Sequence, residues 1–316
     1  MRSMRLFVAT RAFSIKVDVS LVAKLRKKTQ CTIAKAKEAL IAVQQSTTPS
    51  DSYQAALDWI NKDAVASGAQ KAAKVSDRVT AEGLVAAFTV GDGQKALLLE
   101  LNAETDFAAK SKLFEQLVLQ SATSASHLTS QESLFNRVEP QSVLQYPTET
   151  GNVLNDVFVE TIGRLGENIR LRRVSATQSA TPTMIFGSYA HSASHRTALD
   201  FPLSGGMGQF ASIVALGVNN APSTDVRKSL CGFASRLAQH VTGFAPKTVE
   251  HNEDGEALLD QQFLFGGGTV QDVLRTVSSE LNLTVTILGF ERLECGEGIE
   301  KSAVSFADEV QKQASA

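Results

Sequence analysis

The side chains best suited to chemistry in this sequence are three cysteines, Cys31, Cys231 and Cys295, and the close histidine pair His191 and His195. With them come the near-neighbour carboxylates Glu100 and Glu104, the pair Glu294 and Glu297, and two glycine clusters, SGGMGQ at 204–209 and FGGGTV at 265–270. Each suggests a chemistry and lacks the partner that chemistry needs. The cysteines are far apart and none stands in a CxxC pair, so neither a zinc knuckle nor a disulfide framework is indicated, and a reducing compartment fits. A histidine pair at this spacing could face a metal, yet no carboxylate or cysteine accompanies it. The carboxylate pairs have no supporting base or nucleophile and read as solvated surface. The glycine clusters could cradle an anion through backbone N–H groups, but no lysine follows to meet a phosphate, so flexible turns are the simpler reading. There is no G-x-S-x-G elbow, no H-E-x-x-H helix and no G-x-x-x-x-G-K-[ST] loop. The residues favour a binding protein over an enzyme, with no cofactor and no metal.

One stretch stands apart, ELNAETDFAAK at 100–110, where an apolar strand-like run gives way to a helix. Thr105 or Asp106 is a good N-cap, and Phe107 lies seven residues before Phe114, almost on the same helical face. The ring is therefore either the first core residue of that helix or a wedge offered to a partner.

The elements that must position it follow from periodicity. Asp18 to Ala66 reads as three short helices: Leu21, Val22 and Leu25; then Ile33, Ala36, Leu40 and Val43; then Ala56, Leu57 and Ile60, introduced by Pro49, Ser50 and Asp51. A helical head at 17–68 is expected, then a solvated helical connector at 69–80 carrying Lys71, Lys74 and Arg78. GLVAAFTV (83–90) and KALLLEL (95–101) are strands joined through a hairpin turn at Asp92-Gly93. Helices follow at Phe114 to Val118 and at Val157 to Leu165, and NIRLRRVSA (168–176) alternates like a strand with one wet face. Residues 121–150, rich in Ser, Thr and Gln, carry no clear pattern. After the linker QSATPT the outline repeats: strands MIFGSYAH, FASIVALGV and LTVTILGF, with amphipathic helices around Val226–Val241 and Val270–Leu281. Strands grouped with strands point to antiparallel α+β sheets, in core modules at 81–176 and 183–292, with a small C-terminal helical module at 293–316.

Charged residues make up 20% and the net charge is −2, which argues against a protein that coats nucleic acid. No apolar run approaches the roughly 20 residues of a membrane helix. Residues 1–16 carry Arg2, Arg5, Arg11 and Lys16 with Phe7, Phe13 and hydroxyl side chains, and no acid precedes Asp18. That is the pattern of a mitochondrial transit peptide.

Read in order, LVAKLRKKTQCTIAKAKEAL (21–40), AALDWINKDAVASGAQKAAKVSDRVTAEGLV (55–85), LLLELNAETDFAAK (97–110), IGRLGENIRLRRV (162–174), GSYAHS (187–192) and CGEGIEK (295–301) resemble the elongation factor Ts family, in its mitochondrial form. The resemblance implies a ubiquitin-associated-type head, two α+β core subdomains and a C-terminal helical module. It implies a protein that promotes exchange of GDP for GTP on elongation factor Tu in the mitochondrial matrix, without covalent chemistry and without direct nucleic-acid or membrane contact. It further implies that Asp106 and Phe107, with Thr105, enter the partner near its magnesium site. Leu25, Arg26, Ile33 and Lys37 of the head and His191 of the GSYAH strand would also face that partner. Two departures stand out. Gln30, Cys31 and Thr32 replace a glycine-bearing loop, which raises as the alternative a Tu-binding chaperone or assembly factor without exchange activity. The interval 248–271 is too short for the coiled-coil hairpin through which bacterial members dimerise, so a one-to-one complex is expected.

Overall fold

The computed structural model describes residues 17–44, 52–148, 151–191, 203–251 and 256–300. The transit-peptide segment 1–16, the start signals Pro49 to Asp51 and the helix expected at Ala303 to Val310 lie outside the described residues.

Three helices form the head: α1 (Val19–Thr29), α2 (Ile33–Gln44) and α3 (Ser52–Val75). Asp18 caps α1 by accepting the Ser20 N–H, and Arg26, Lys27 and Lys28 occupy its last turn, where the helix dipole favours cations. Leu25, Ala36, Ala39, Ala56 and Ile60 close the head's own core. α3 does not stop at the head. It runs on as one helix through 69–75, the start of the stretch expected to be a solvated connector, and packs on α7 (Leu154–Leu165). The two helices approach closely because glycines meet there: a β-carbon on Gly68 would sit 2.9 Å from Val159 O, and one on Gly163 2.9 Å from Ala64 O. Asp63 of α3 accepts from Lys35 of α2 and from Lys71, whose ammonium also reaches Gly163 O. Lys71 is thus a joint between head and core.

The core is α+β with two antiparallel sheets among the described residues. β1 (Glu82–Val90) and β2 (Lys95–Ala103) form the expected hairpin, and β3 (Ile169–Gln178) pairs with β2. Between them in sequence come α4 (Asp106–Ala109), α5 (Lys112–Ser126) and α6 (Pro140–Leu144). The second sheet has the order β4 (Met184–His191), β6 (Phe210–Val218), β7 (Val285–Glu294). The two sheets pack face to face through Val85, Ala87, Ala96 and Leu98 against Phe186, Ala211, Ile213 and Ala215. The opposite face of the first sheet carries α5 and α7, and that of the second carries α8 (Thr224–Phe244), with α9 (Val270–Leu281) against β7. β1 and β2 are therefore buried on both faces, which is why LVAAF and ALLLEL read as nearly continuous apolar runs.

Three expectations change. SGGMG is not a flexible turn but β5 (Leu203–Gly208), which pairs with β1 and extends the first sheet with chain from the second module. Glycine is required because a β-carbon on Gly205 would lie 2.1 Å from Ala87 O. The polar region 121–150 has a job: after α5, bridges at Ser130 and Arg137 and the buried Asn136 amide cover the open edge of β3. Glu100 is not solvated surface but fully buried between the sheets. A bulge in β3 inserts Arg172, so that both Arg172 and Arg173 reach its carboxylate. The Gly296 N–H, 2.7 Å from Oε1, and the Asn102 amide complete the shell. Burial alone would raise the pKa of Glu100, but the Gly296 N–H, Asn102 and Arg173 outweigh it and hold the carboxyl below the usual range. Arg173 also pairs with Glu297, so the CGEGIE turn is fastened to β2 and β3.

Because the folded pKa of Glu100 is depressed, its stabilisation is fully present above the unfolded value and is lost as pH falls through the folded value. Glu100→Gln is expected to lower unfolding free energy at pH 7 by about 2–3 kcal/mol, since it leaves two arginines facing a neutral amide. In urea titrations the gap from wild type should narrow in acid. A gap that stays constant between pH 7 and pH 3.5 would contradict the ionised assignment.

Candidate functional site

The site is built around Thr105, which stands between the end of β2 and the start of α4. Its backbone is extended, and its hydroxyl accepts the Ala108 N–H at 3.2 Å, a standard N-cap. That hydroxyl in turn donates to Glu167 Oε1 at 2.7 Å, while the Thr105 N–H donates to Oε2 at 3.1 Å. One carboxylate therefore grips both polar groups of the residue that starts the helix. Glu167 follows Gly166, the left-handed C-cap of α7. Burial raises its pKa, the Thr105 donors oppose that, and the nearby Glu104 adds to it, leaving the carboxyl above its ordinary range.

The neighbouring residues lock in the same way. Glu104 Oε1 accepts the Asn168 N–H at 2.5 Å and pairs with Arg78 at 3.3 Å through Oε2. The Asn168 amide donates to the carbonyls of Ser76 and Arg78, just beyond α3. GEN (166–168), ETD (104–106) and the end of α3 are thus one hydrogen-bonded junction.

On this junction α4 is a single turn. Ala108 and Ala109 are buried in the core, and the Phe107 side chain on the other side is 73% exposed, more than Phe244 at 51% or Phe265 at 46%. Of the two readings of Phe107, the one in which it shares a buried face with Phe114 fails, and the reason is local. Ser111 is extended (φ −76°, ψ 147°) and caps α5 through the Phe114 N–H, so α4 and α5 are separate helices and the seven-residue spacing does not align the rings. Phe114 is fully buried and Phe107 is not. The Asp106 carboxylate is half-exposed and 2.6 Å from the Lys110 ammonium.

The other expected site residues divide. Arg26, Ile33 and Lys37 are exposed on the head, Ile33 by 50%. Leu25 is not a surface residue: it is completely enclosed in the head core and supports α1 from inside. His191 ends β4 exposed, with the Tyr189 hydroxyl 3.5 Å from Nδ1, on the second sheet. Sequence reasoning missed Arg78, Glu104, Glu167 and Asn168 as supports, because the bonds join residues 26 or more apart and no local spacing announces them. It also left open the turn at Gln30. There the backbone is left-handed (φ 56°), so glutamine holds the conformation usual for glycine, and Thr32 caps α2 through the Lys35 N–H. Among the described residues no group of His, Cys, Asp and Glu could hold a metal, and no helix is long and apolar enough to cross a membrane. The loop before α9 offers no open anion cradle either, since Thr269 and Asp272 close a capping box on its N-terminal donors.

Comparison with known proteins places the chain among relatives along nearly its whole length. The family model described as elongation factor TS matches residues 104–259, beginning at the junction. The chain is 30% identical to the mitochondrial elongation factor Ts of Laccaria bicolor, over 90% of this chain and 93% of that one. It is 31% identical to the elongation factor Ts of Beijerinckia indica, over 95% and 98%. It is 28% identical to the mitochondrial protein of Heterostelium pallidum, over 95% and 84%. With near full-length matches of this kind, the chain belongs to the elongation factor Ts family.

Proposed function

We propose that the protein promotes exchange of GDP for GTP on mitochondrial elongation factor Tu, in the matrix and as a one-to-one complex, by inserting Phe107 and Asp106 beside the partner's Mg²⁺ and nucleotide. The observation that carries this reading is the exposed Phe107 ring on a turn whose other face is buried and whose first residue is held by Glu167. An aromatic ring kept in water on a rigid mount is ready to be buried elsewhere.

The physics follows. A bound nucleotide is held by backbone donors and by Mg²⁺ bridging its phosphate oxygens, so a displacement of about an ångström in those elements forfeits much of the coordination. Burying the ring supplies roughly 1.5–3 kcal/mol toward that displacement. Asp106 brings a negative charge toward phosphate and magnesium-bound carboxylates, or competes for their donors. Arg26, Ile33 and Lys37 of the head and His191 of β4 supply further contact. No bond is made or broken; the nucleotide-free partner is stabilised, and nucleotide affinity falls by linkage. The left-handed Gln30 keeps a tight turn at the head loop, which supports the exchange reading over a Tu-binding chaperone or assembly factor without exchange activity.

Release of a fluorescent GDP analogue from the mitochondrial partner tests the proposal, and a wild-type protein that leaves release at its spontaneous rate would overturn it. Phe107→Ala is expected to slow assisted release by about ten- to a hundredfold, the kinetic equivalent of the lost burial. Its melting temperature should stay near wild type because the ring is largely exposed. Asp106→Ala should also slow release, and full activity in both variants would refute the wedge while leaving exchange standing. Glu167→Ala leaves Phe107 in place but removes two acceptors from its mount, so release should slow and urea stability drop by roughly 1–3 kcal/mol. Deletion of residues 1–16 is expected to abolish import into isolated mitochondria; undiminished import would exclude that segment as the targeting signal.

A further inference from the structure

The side chain of Gln30 crosses from the head to the core. The head's first helix ends there in a left-handed turn, its N–H bonded to Arg26 O at 2.8 Å. That backbone conformation carries a steric cost for every residue with a β-carbon and little for glycine. The glutamine, however, makes a contact glycine cannot: its Oε1 accepts the backbone N–H of Leu113 at 3.3 Å. Leu113 is the second residue of α5, one of the first-turn donors that have no carbonyl within their own helix. Ser111 serves the Phe114 N–H from inside the core, and Gln30 serves the adjacent one from the head. Two residues along the same loop, a β-carbon on Gly166 would lie 4.0 Å from Thr32 Cγ2, so the loop passes near the C-cap of α7. The head loop therefore bonds to α5 and runs beside the end of α7, the helices that flank the Thr105–Glu167 junction.

We propose that Gln30 is a positioning residue: by holding the Leu113 N–H it fixes the angle between the head and the α4–α5 mount, so that Arg26, Ile33, Lys37 and Phe107 engage one partner surface together. This rests on the exchange reading above. Other ties lie along α3 and just beyond it: Lys71 with Gly163 O and Arg164 with Asn61 on the α3–α7 contact, and Asn168 with the Ser76 and Arg78 carbonyls. Only the Gln30 bond joins the loop after α1 to the helix that follows the wedge, among the contacts described. A rotation of the head about α3 would break it first.

Glycine, alanine and glutamate at position 30 separate this role from a mere turn. Gln30→Gly relaxes the backbone and removes the strut, so its melting temperature should equal or exceed wild type while assisted GDP release slows by roughly threefold to tenfold. The loss should fall mainly on the apparent KM for the partner. Gln30→Ala should lose both stability and exchange. Gln30→Glu keeps the acceptor at a helix N-terminus and should retain wild-type exchange. Spin labels attached through non-natural amino acids at the exposed Lys28 and Gln116 read the geometry directly: the distance distribution should broaden in Gln30→Gly and stay narrow in Gln30→Glu. Wild-type exchange by the glycine variant, or an unbroadened distribution, overturns the proposal. A wild-type protein that does not accelerate release overturns the exchange reading instead, and the label distances still decide whether Gln30 holds the head.

Discussion

The bidentate grip of Glu167 on Thr105 is the contact on which the candidate site depends. A side chain that is 73% exposed, as Phe107 is, gets little of its placement from burial. Rigidity must come from the backbone beneath, and a single helical turn is too short to be stable alone. The turn is therefore fixed at three points: the Thr105 cap, the burial of Ala108 and Ala109, and the carboxylate that holds Thr105 from across the fold. The same carboxylate sits beside Glu104, and the like-charge proximity is tolerated because each acid has its own donors, Thr105 for one and Asn168 with Arg78 for the other.

A second buried acid serves the sheet below. Glu100 lies four residues before Glu104 on the strand that leads to the wedge, and its arginines come from the strand that follows the Glu167–Asn168 turn. Both acids of β2's end thus pair with 167–173, and the Gly296 turn closes the first of them from the C-terminal side. Gly296 needs its left-handed backbone (φ 74°) and its missing side chain, since a β-carbon there would lie 2.4 Å from Ala81 O. Stretches that are distant in sequence are therefore one polar scaffold, whose charges are satisfied in a layer between apolar faces.

Much of this fold is legible in the residues alone. The three head helices, the β1–β2 hairpin and the later strands follow from apolar period and turn chemistry, because each buries a face whose pattern the sequence must carry. What escapes is what depends on a partner far along the chain. SGGMG reads as a turn because its glycines are chosen by the backbone of β1, not by its own conformation. Glu100 reads as surface because its arginines are 72 and 73 residues away and one of them is delivered by a bulge. For Phe107 a buried reading stays open beside the exposed one because a seven-residue spacing looks helical until the extended Ser111 interrupts it. At the site the motif itself was visible, whereas Leu25, placed on the partner surface by family likeness, proves to be interior.

These misreadings share a cause. Local rules describe how a segment satisfies itself, and they carry no information about contacts supplied from elsewhere. Phe107 exposes most of its surface, and Gln30 adopts a backbone that glycine would hold more easily. Both costs are local and small beside the burial available at an interface, and both are carried by residues whose surroundings are otherwise fully bonded. Departures from the helix and turn rules that coincide with such over-determined surroundings are where function departs from folding. Here both departures lie beside a single helix N-terminus, that of α5, whose Leu113 N–H is bonded to Gln30. The head is thus tied to the core one helix turn beyond the segment that carries Phe107.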